Sequence, residues 1–234
     1  MEQYHNDGFL KVPAQDYGID DQLKTSLRQY TSEGNLLNEE IWRRNSKDQG
    51  TLTLQQSYIQ ENVQAYINLL VGSGLHAILE QVTGRSLFLT NLMHLVTDQQ
   101  CRTLRWHRDS YLRNGSWIGP LPPPLKCAVY LNGAGPDSSV TGFIRGSHRF
   151  DPKNMYVDLL AAYTLFPYQA FQSVGEGDVV IFDGSILHCR KKLKSDKTRE
   201  AIIFGLTTHT NGQQPYREDH QPVIDAFMDA TGIQ

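Results

Sequence analysis

The sequence predicts a mainly β, α+β fold in which helices flank a sandwich, barrel or jelly roll. Apolar residues recur at helical spacing before about residue 86, and short β-prone segments follow one another after it. No regular helical pattern separates those segments, which argues against a parallel βαβ sheet. We expect a single domain over residues 1–234, with a helical lead and flank at about 1–86, a β core at about 87–210 and a C-terminal tail at 211–234.

Helical periodicity is clearest in two stretches of the lead. Near 19–31, apolar residues recur every three or four positions and form one face. A stronger apolar stripe runs over 59–70, is interrupted by Gly72-Ser73-Gly74 and resumes over 75–82. We therefore predict two helices, or one kinked helix, in that second stretch.

Six segments of the core are rich in β-branched and aromatic residues, and turn-rich links such as NGAGPDSS and GEGD join them. These segments are residues 87–97, 101–107, 125–131, 140–145, 178–183 and 199–208. Short strands in succession are typical of a sandwich, barrel or jelly roll. In the tail, Pro222 and Gly232 favour a short helix between them.

Composition and charge exclude several classes of protein. The chain has 39% hydrophobic residues, 20% charged residues and a formal net charge of −3, which gives no electrostatic reason to bind nucleic acid or an anionic membrane. No apolar run approaches the roughly 18 residues of a membrane span, and the first residues lack the pattern of a signal peptide. Cys101, Cys127 and Cys189 are odd in number and far apart, which argues against a disulfide framework. We expect a reduced, cytoplasmic protein.

The stretch WHRDSYLRNGSW at 106–117 fits two kinds of chemistry. Its core, HRDSYLRN, has the spacing of a protein-kinase catalytic loop, which also requires a glycine-rich strand–turn–strand, a strand lysine and an Asp-Phe-Gly for magnesium. The chain contains no Asp-Phe-Gly, and its nearest glycine loop, VGSGLHA, lies in a helical pattern. Strands follow where a helical lobe would be needed. The kinase interpretation therefore fails.

The same stretch contains H-x-D, the first half of a mononuclear iron site. On a strand, His107 and Asp109 project to one face while Arg108 points away. An imidazole beside a carboxylate supplies two ligands of a 2-His-1-carboxylate triad, which leaves positions on Fe(II) open. Since H-x-D alone is more often a surface or core pair, a third ligand from another strand is needed.

The segment GEGDVVIFDGSILHCR at 175–190 offers that third ligand. It is predicted to form a turn, a strand and a second turn before His188, and Arg199 follows eleven residues later at the start of an apolar strand. An arginine near iron can bind the distal carboxylate of a dicarboxylate through two charge-assisted hydrogen bonds. The alternative for Arg199 alone is a solvated strand end.

With these residues in place, the sequence resembles the phytanoyl-CoA dioxygenase-like branch of the Fe(II)/2-oxoglutarate-dependent oxygenases over most of its length. HNDGFLKV (5–12) is similar to the family's N-terminal segment, and WHRD (106–109) is similar to its WHxD strand. TGFIRGSHRF (141–150) is similar to its glycine–strand–proline–GSHR element, with Arg145 where proline is usual. GDVVIFDGSILHCR (177–190), with the arginine that follows it, is similar to the distal histidine block.

The resemblance implies a double-stranded β-helix, a cupin-like jelly roll, for the core. It implies His107, Asp109 and His188 as iron ligands and Arg199 as the partner of a 2-oxoglutarate carboxylate. It further implies a dioxygenase that uses Fe(II), 2-oxoglutarate and O2, with ascorbate as a candidate reductant. The expected reaction is hydroxylation of an aliphatic C–H bond in a small-molecule substrate. Desaturation, cyclisation or another oxidative step in natural-product biosynthesis uses the same triad and stays open, and a jelly-roll binding protein without turnover is the non-enzyme alternative.

Other residues are weaker candidates for the site. Thr90 and Asn91 lie on the strand before the H-x-D, a region from which the family draws contacts to 2-oxoglutarate. Tyr111 and Trp117 lie in a loop expected to overhang the iron, where they either contact substrate or pack. Arg190 belongs to a basic cluster that would attract an acidic substrate, and a hydrated hairpin is the alternative. No nucleic-acid or membrane partner is expected.

Overall fold

In the computed structural model, two antiparallel sheets face each other and helices cover one of them. The structure describes residues 2–31, 33–45, 49–109, 111–113, 116–118, 124–135, 137–150, 155–194, 197–208 and 220–232. At residues 33, 111–113, 116–118, 155–157, 159, 161 and 166 the description is limited to the backbone.

The strands of the described segments carry the two sheets. In chain order they are β1 (Phe9–Val12), β2 (Trp42–Asn45), β3 (Thr51–Leu54), β4 (Phe88–Thr97), β5 (Leu104–His107), β6 (Tyr111–Arg113), β7 (Ser116–Ile118), β8 (Leu125–Tyr130), β9 (Thr141–Ile144), β10 (Gln169–Gln172), β11 (Val179–Asp183), β12 (His188–Arg190) and β13 (Arg199–Thr207).

Helices precede, interrupt and follow the strands. The α-helices are α1 (Glu2–Asp7), α2 (Asp21–Leu27), α3 (Glu33–Leu36), α4 (Gln56–Glu61), α5 (Val63–Ile67), α6 (Leu75–Thr83), α7 (Met155–Thr164) and α8 (Gln221–Thr231). A π-helical turn at Asn68–Gly72 follows α5 directly, and Ser73 and Gly74 separate it from α6.

The larger sheet has the strand order β1-β11-β8-β13-β4-β3-β2, the smaller sheet has the order β10-β9-β12-β5, and β6 pairs with β7 as a separate hairpin. Inward-facing side chains from both sheets, including Ala128 and Tyr130 of β8 and Phe143 of β9, pack into one buried cluster. Two antiparallel sheets packed in this way form a jelly roll, which confirms the predicted fold class.

Helices bury the outer face of the larger sheet. Cys127 and Val129 of β8 and Ile202 of β13 belong to one apolar cluster with helical residues such as Tyr66 and Phe227. Because successive strand residues alternate between faces, the neighbouring residues of β8 and β13 point inwards between the sheets. The outer face of the larger sheet, packed against the helices, therefore supplies most of the apolar burial. The face between the two sheets can carry the polar groups of a site.

Three strands lie in residues 1–86, so the prediction that this region is a helical lead is incomplete. β1 forms one edge of the larger sheet, and β2 and β3 form the other. Each of these strands has only four residues, too few for a period-two pattern to stand out. The helices predicted in the lead and in the tail are present as α2, α4–α6 and α8.

The six strands predicted for the core correspond to β4, β5, β8, β9, β11 and β13. The short strands β6, β7, β10 and β12 and the helix α7 were not predicted, and β6 and β7 lie where a loop was expected. All three cysteines are buried and free. Among the described residues, no helix has both the length and the apolar character required to cross a membrane.

Candidate metal centre

Two neighbouring strands of the smaller sheet bring the predicted ligands together. His107 ends β5, His188 begins β12, and the two residues are Cα partners in the antiparallel register. Just past β5, the backbone N–H of Asp109 donates to the carbonyl of Gly184 at 3.1 Å. Ligand atoms of the three side chains all lie within 4.8 Å of one another. Segments that are far apart in sequence thus converge on one point.

Backbone hydrogen bonds define which nitrogen of each imidazole is available. Nδ1 of His107 lies 2.8 Å from the carbonyl of Arg105, and Nδ1 of His188 lies 3.0 Å from the carbonyl of Ile186. A carbonyl only accepts, so Nδ1 carries the proton in both rings and Nε2 keeps its lone pair. The two Nε2 atoms lie 4.0 Å and 3.7 Å from Oδ1 of Asp109. This donor set fits a divalent cation held by two imidazoles and one carboxylate.

Burial and nearby charges favour the metal-binding forms of His188 and Asp109. Burial, reinforced by the neighbouring His107, lowers the pKa of His188 to about 4, so this ring is neutral near pH 7. Burial alone would raise the pKa of Asp109, but the ammonium of Lys126 and the two imidazoles outweigh it and hold this pKa below its usual value. The Nζ atom of Lys126 lies 3.6 Å from Oδ2 of Asp109. A neutral imidazole such as that of His188 and an ionised carboxylate such as that of Asp109 bind metal without first losing a proton.

Arg199 begins β13 and is buried on the inner face of the larger sheet. Its Nη2 donates to the hydroxyls of Tyr130 at 3.0 Å and Thr141 at 3.3 Å, and its guanidinium lies 4.7 Å from the centre of the Tyr130 ring. Nε of Arg199 has no hydrogen-bond partner among the described residues. A buried donor without a partner costs free energy, so this guanidinium fits an anionic group bound beside it.

The three candidate ligands and Arg199 line one cavity of about 140 Å³ between the sheets. Its other lining residues come from both sheets and are Met93, Leu95, Leu104, Lys126, Ala128, Tyr130, Thr141, Phe182, Cys189, Arg190 and Ile203. Mostly apolar walls with cationic groups suit a small dicarboxylate.

Thr90 and Asn91 do not line this cavity. The register of β4 skips Thr90, because Asn91 pairs with Gly205 of β13 and Leu89 pairs with Leu206. The hydroxyl of Thr90 donates to the carbonyl of Gly205 at 2.9 Å. Oδ1 of Asn91 is buried over Gly205 and has no hydrogen-bond partner in the described part of the chain. The β4 residues that do line the cavity are Met93 and Leu95. The lining therefore does not support the prediction that Thr90 and Asn91 contact 2-oxoglutarate.

The predicted substrate contacts have different outcomes. Tyr111 and Trp117 lie on β6 and β7, and their side chains are outside the described residues. Arg190 lines the cavity and is buried, so the alternative of a hydrated hairpin does not apply to it. Its guanidinium donates to the hydroxyl of Thr51 and to the carbonyl of Arg102. These contacts join β12 to segments around β3 and β5.

Three polar residues of the site, Lys126, Tyr130 and Thr141, were not predicted from the sequence. Lys126 and Tyr130 face inwards with Ala128, and the residues between them face the helices. The segment LKCAVY does contain this period-two signal, because alternate residues of a strand share a face. It had no functional meaning until the position of the cavity was known.

Arg108 lies between His107 and Asp109 in the sequence. Its side chain points away from the cavity and is buried. Its Nε donates to Asp158 of α7 at 3.0 Å, and its Nη1 donates to the carbonyls of Ser147, at 2.9 Å, and Ser185. Ser185 lies in the turn that leads to His188. Arg108 thus joins the H-x-D segment to α7 and to the segment that carries the third ligand.

The chain is similar to one protein family in sequence and to several solved structures in fold. The sequence model of the family described as Phytanoyl-CoA dioxygenase (PhyH) matches residues 24–201. No curated protein matches the chain.

The similar structures include three proteins whose descriptions name α-ketoglutarate or 2-oxoglutarate. The carbocyclase SnoK from nogalamycin biosynthesis has a TM-score of 0.67 and 18% identity, covering 88% of this chain and 81% of that chain. The epimerase SnoN from the same biosynthesis has a TM-score of 0.66 and 18% identity, covering 88% and 80%. HygX from Streptomyces hygroscopicus, with nickel, 2-oxoglutarate and hygromycin B bound, has a TM-score of 0.64 and 17% identity, covering 89% and 87%. At these identities the likeness shows a shared fold.

Proposed function

Because this chain belongs to the phytanoyl-CoA dioxygenase family, and is thereby an Fe(II)/2-oxoglutarate-dependent dioxygenase, we propose that it hydroxylates an aliphatic C–H bond of a small-molecule metabolite. When bound, Fe(II), 2-oxoglutarate and O2 supply the oxidising chemistry. The residues of this chain bind and orient those groups within a single domain and limit the access of water.

In this proposal His107, Asp109 and His188 hold the iron. The observation that carries it is the convergence of two Nε2 lone pairs and a carboxylate oxygen, with all ligand atoms within 4.8 Å. Both Nδ1 protons already bond to backbone carbonyls, which fixes the rings in the tautomer that coordinates through Nε2. A binding protein without turnover has no need of this arrangement.

Arg199 is the proposed partner of the distal carboxylate of 2-oxoglutarate. Its unpaired buried Nε supports this role, as do the two hydroxyls that hold its Nη2 in place. A guanidinium gives a carboxylate both charge and directed hydrogen bonds. Apolar neighbours such as Met93, Leu95 and Ile203 would keep bulk water away from the cavity.

The narrow cavity and the net charge of −3 favour a small molecule over a nucleic acid as substrate. A second candidate is a cyclisation, desaturation or epimerisation step in natural-product biosynthesis, which the names of SnoK and SnoN favour. We also propose a cytoplasmic location, since three free cysteines and ferrous iron both suit a reducing compartment.

The test is aerobic incubation of the protein with Fe(II), 2-oxoglutarate and a panel of aliphatic metabolites. We expect substrate-dependent formation of succinate and a product heavier by one oxygen atom, both absent in His107→Ala. Arg145→Ala, which changes an exposed residue outside the cavity, is the matched control. A product lighter by two hydrogen atoms, or an epimer of unchanged mass that separates from the substrate by chromatography, would instead support the second candidate. Turnover in His107→Ala would refute the ligand assignment.

A further inference from the structure

Lys126 is a cationic residue of the site, and the proposed binding of iron and 2-oxoglutarate gives it no role. It lies on β8 inside the larger sheet, where its register partners are Phe182 of β11 and Gly205 of β13. Its side chain is 9% exposed. Lysine is rarely buried to this extent, because desolvating an ammonium costs free energy unless a partner compensates for it. The nature of that partner therefore indicates what Lys126 does.

The partner is one oxygen of the candidate metal-binding carboxylate. Nζ of Lys126 lies 3.6 Å from Oδ2 of Asp109, and the Nε2 atoms of His107 and His188 lie nearest to Oδ1. The two oxygens of one carboxylate thus face different groups. Oδ1 faces the imidazoles and Oδ2 faces the ammonium.

We propose that Lys126 is a positioning residue that makes Asp109 a ligand through Oδ1 alone. This inference rests on the proposed ligand roles of His107, Asp109 and His188. Carboxylates bind metal ions through either one oxygen or both. In this chain Oδ2 would have to leave the ammonium before it could bind as a second ligand. Lys126 would therefore prevent Oδ2 from filling a position on the metal. A 2-His-1-carboxylate triad needs such positions open for the other reactants.

If Lys126 acts in this way, its charge should lower the affinity of the site for metal. Attraction between Lys126 and Asp109 is present with or without metal, whereas repulsion between the ammonium and a divalent cation arises only when metal binds. Lys126 therefore opposes metal binding, and removal of its charge should strengthen binding. A purely structural ion pair predicts the reverse, because loss of Lys126 would leave Asp109 poorly held.

The experiment titrates metal-free protein with Co(II) in competition with a chromophoric chelator and records the visible spectrum of the Co(II) protein, which depends on the number of ligand atoms. We expect Lys126→Met to bind Co(II) about tenfold more tightly, as repulsion between close charges of this kind implies, and to show a changed spectrum. Lys126→Arg retains the charge and should keep the wild-type spectrum. The matched control is Lys11→Met, which removes a lysine paired with Asp178 at 3.1 Å in the same sheet but outside the cavity.

A wild-type spectrum in Lys126→Met, or weaker Co(II) binding than in Lys11→Met, overturns the proposal. If Lys126→Met fails to fold by circular dichroism, Lys126→Gln replaces it and is judged in the same way. Failure of the wild-type protein to bind Co(II) would refute the metal site itself and this inference with it. If the wild-type protein binds Co(II) and the uncharged variants Lys126→Met and Lys126→Gln match it in affinity and spectrum, this inference is refuted and the proposed function is left intact.

Discussion

Arg199 combines hydrogen bonds that fix its position with a nitrogen that is free to bind. Nη2 is held by Tyr130 and Thr141, and Nε has no described partner. We expect Arg199→Leu to raise the KM for 2-oxoglutarate by about 100-fold, because a charge-assisted contact worth roughly 2–3 kcal/mol is lost. Affinity for Co(II) should stay within about twofold of wild type, since metal and guanidinium are held by different residues.

Steady-state kinetics and a Co(II) titration measure these two effects separately. Arg145→Leu is the control, since Arg145 is exposed and pairs with Asp7 away from the cavity. An unchanged KM in Arg199→Leu would mean that another residue binds the co-substrate.

The residues of the site differ in how far the sequence could predict them. His107, Asp109 and His188 come from short motifs, since chemistry dictates both the residue types and part of their spacing. Lys126 belongs to no motif, and its role depends on how close Asp109 comes in the folded chain. The contacts of Thr90 and Asn91 with 2-oxoglutarate stay predictions: neither residue lines the cavity, the hydroxyl of Thr90 donates to the carbonyl of Gly205, and Asn91 lies against Gly205.

At the scale of elements, Arg108 connects the H-x-D segment to α7 through its ion pair with Asp158. We expect Arg108→Met to lower the free energy of unfolding by about 3–5 kcal/mol, because it leaves the buried Asp158 carboxylate without its partner. Urea denaturation measures this loss. Adding Asp158→Leu should recover part of the loss, since no unpaired buried charge then remains.

Arg145→Met provides the comparison for Arg108→Met. Its ion pair with Asp7 is more exposed, so its loss should cost less than about 1 kcal/mol. Equal costs for the two variants would show that Arg108 does not act as a buried connection between elements.

The turn before β11 depends on Asp178, which accepts hydrogen bonds from the N–H groups of Gly175 at 2.7 Å and Ala14 at 3.1 Å and pairs with Lys11. Burial would raise the pKa of Asp178, but these donors outweigh burial and lower it. Since the folded pKa lies below the unfolded value of about 3.9, the stabilisation is present above that value and is lost as pH falls through the folded pKa.

Asp178→Asn should therefore melt below wild type near pH 7, and the difference should shrink as the pH is lowered through the acid range. Thermal melts at stepwise lower pH measure this change. A difference that is the same at every pH would show that the charge of Asp178 contributes nothing.

The elements themselves were predictable where their patterns were long. The ten-residue β4 and the nine-residue β13 were predicted close to their observed bounds, because each contains a sustained apolar run. The four-residue β1 was not predicted, because its strand character comes from pairing with β11 rather than from its own composition.

At the scale of the whole molecule, the candidate ligands come from strands 81 residues apart in sequence, at His107 and His188. Metal binding should therefore oppose global unfolding, since unfolding separates them. With Ni(II) and 2-oxoglutarate at about 100 times their dissociation constants, we expect stabilisation of about 2.7 kcal/mol per ligand and a melting temperature several degrees higher. His188→Ala should show no increase with Ni(II), as measured by calorimetry. An equal increase in this variant would indicate binding elsewhere.

The order of strands in the sheets was beyond prediction from the sequence. β1 and β11 are Cα partners through Phe9 and Phe182, and such distant pairs arise from packing of the complete chain. A sandwich, barrel or jelly roll was predictable from the succession of short strands, and the resemblance to the family narrowed this set to the jelly roll.

The cavity lies at the seam between two layers that carry different parts of the site. His107 and His188 belong to the smaller sheet, whereas Lys126 and Arg199 belong to the larger one. A cation held by the triad would link only two strands of the smaller sheet and the segment that follows β5. If a dicarboxylate bound to that cation also pairs with Arg199, as proposed, it would link the two sheets, and the co-substrate rather than the metal would then limit their relative motion.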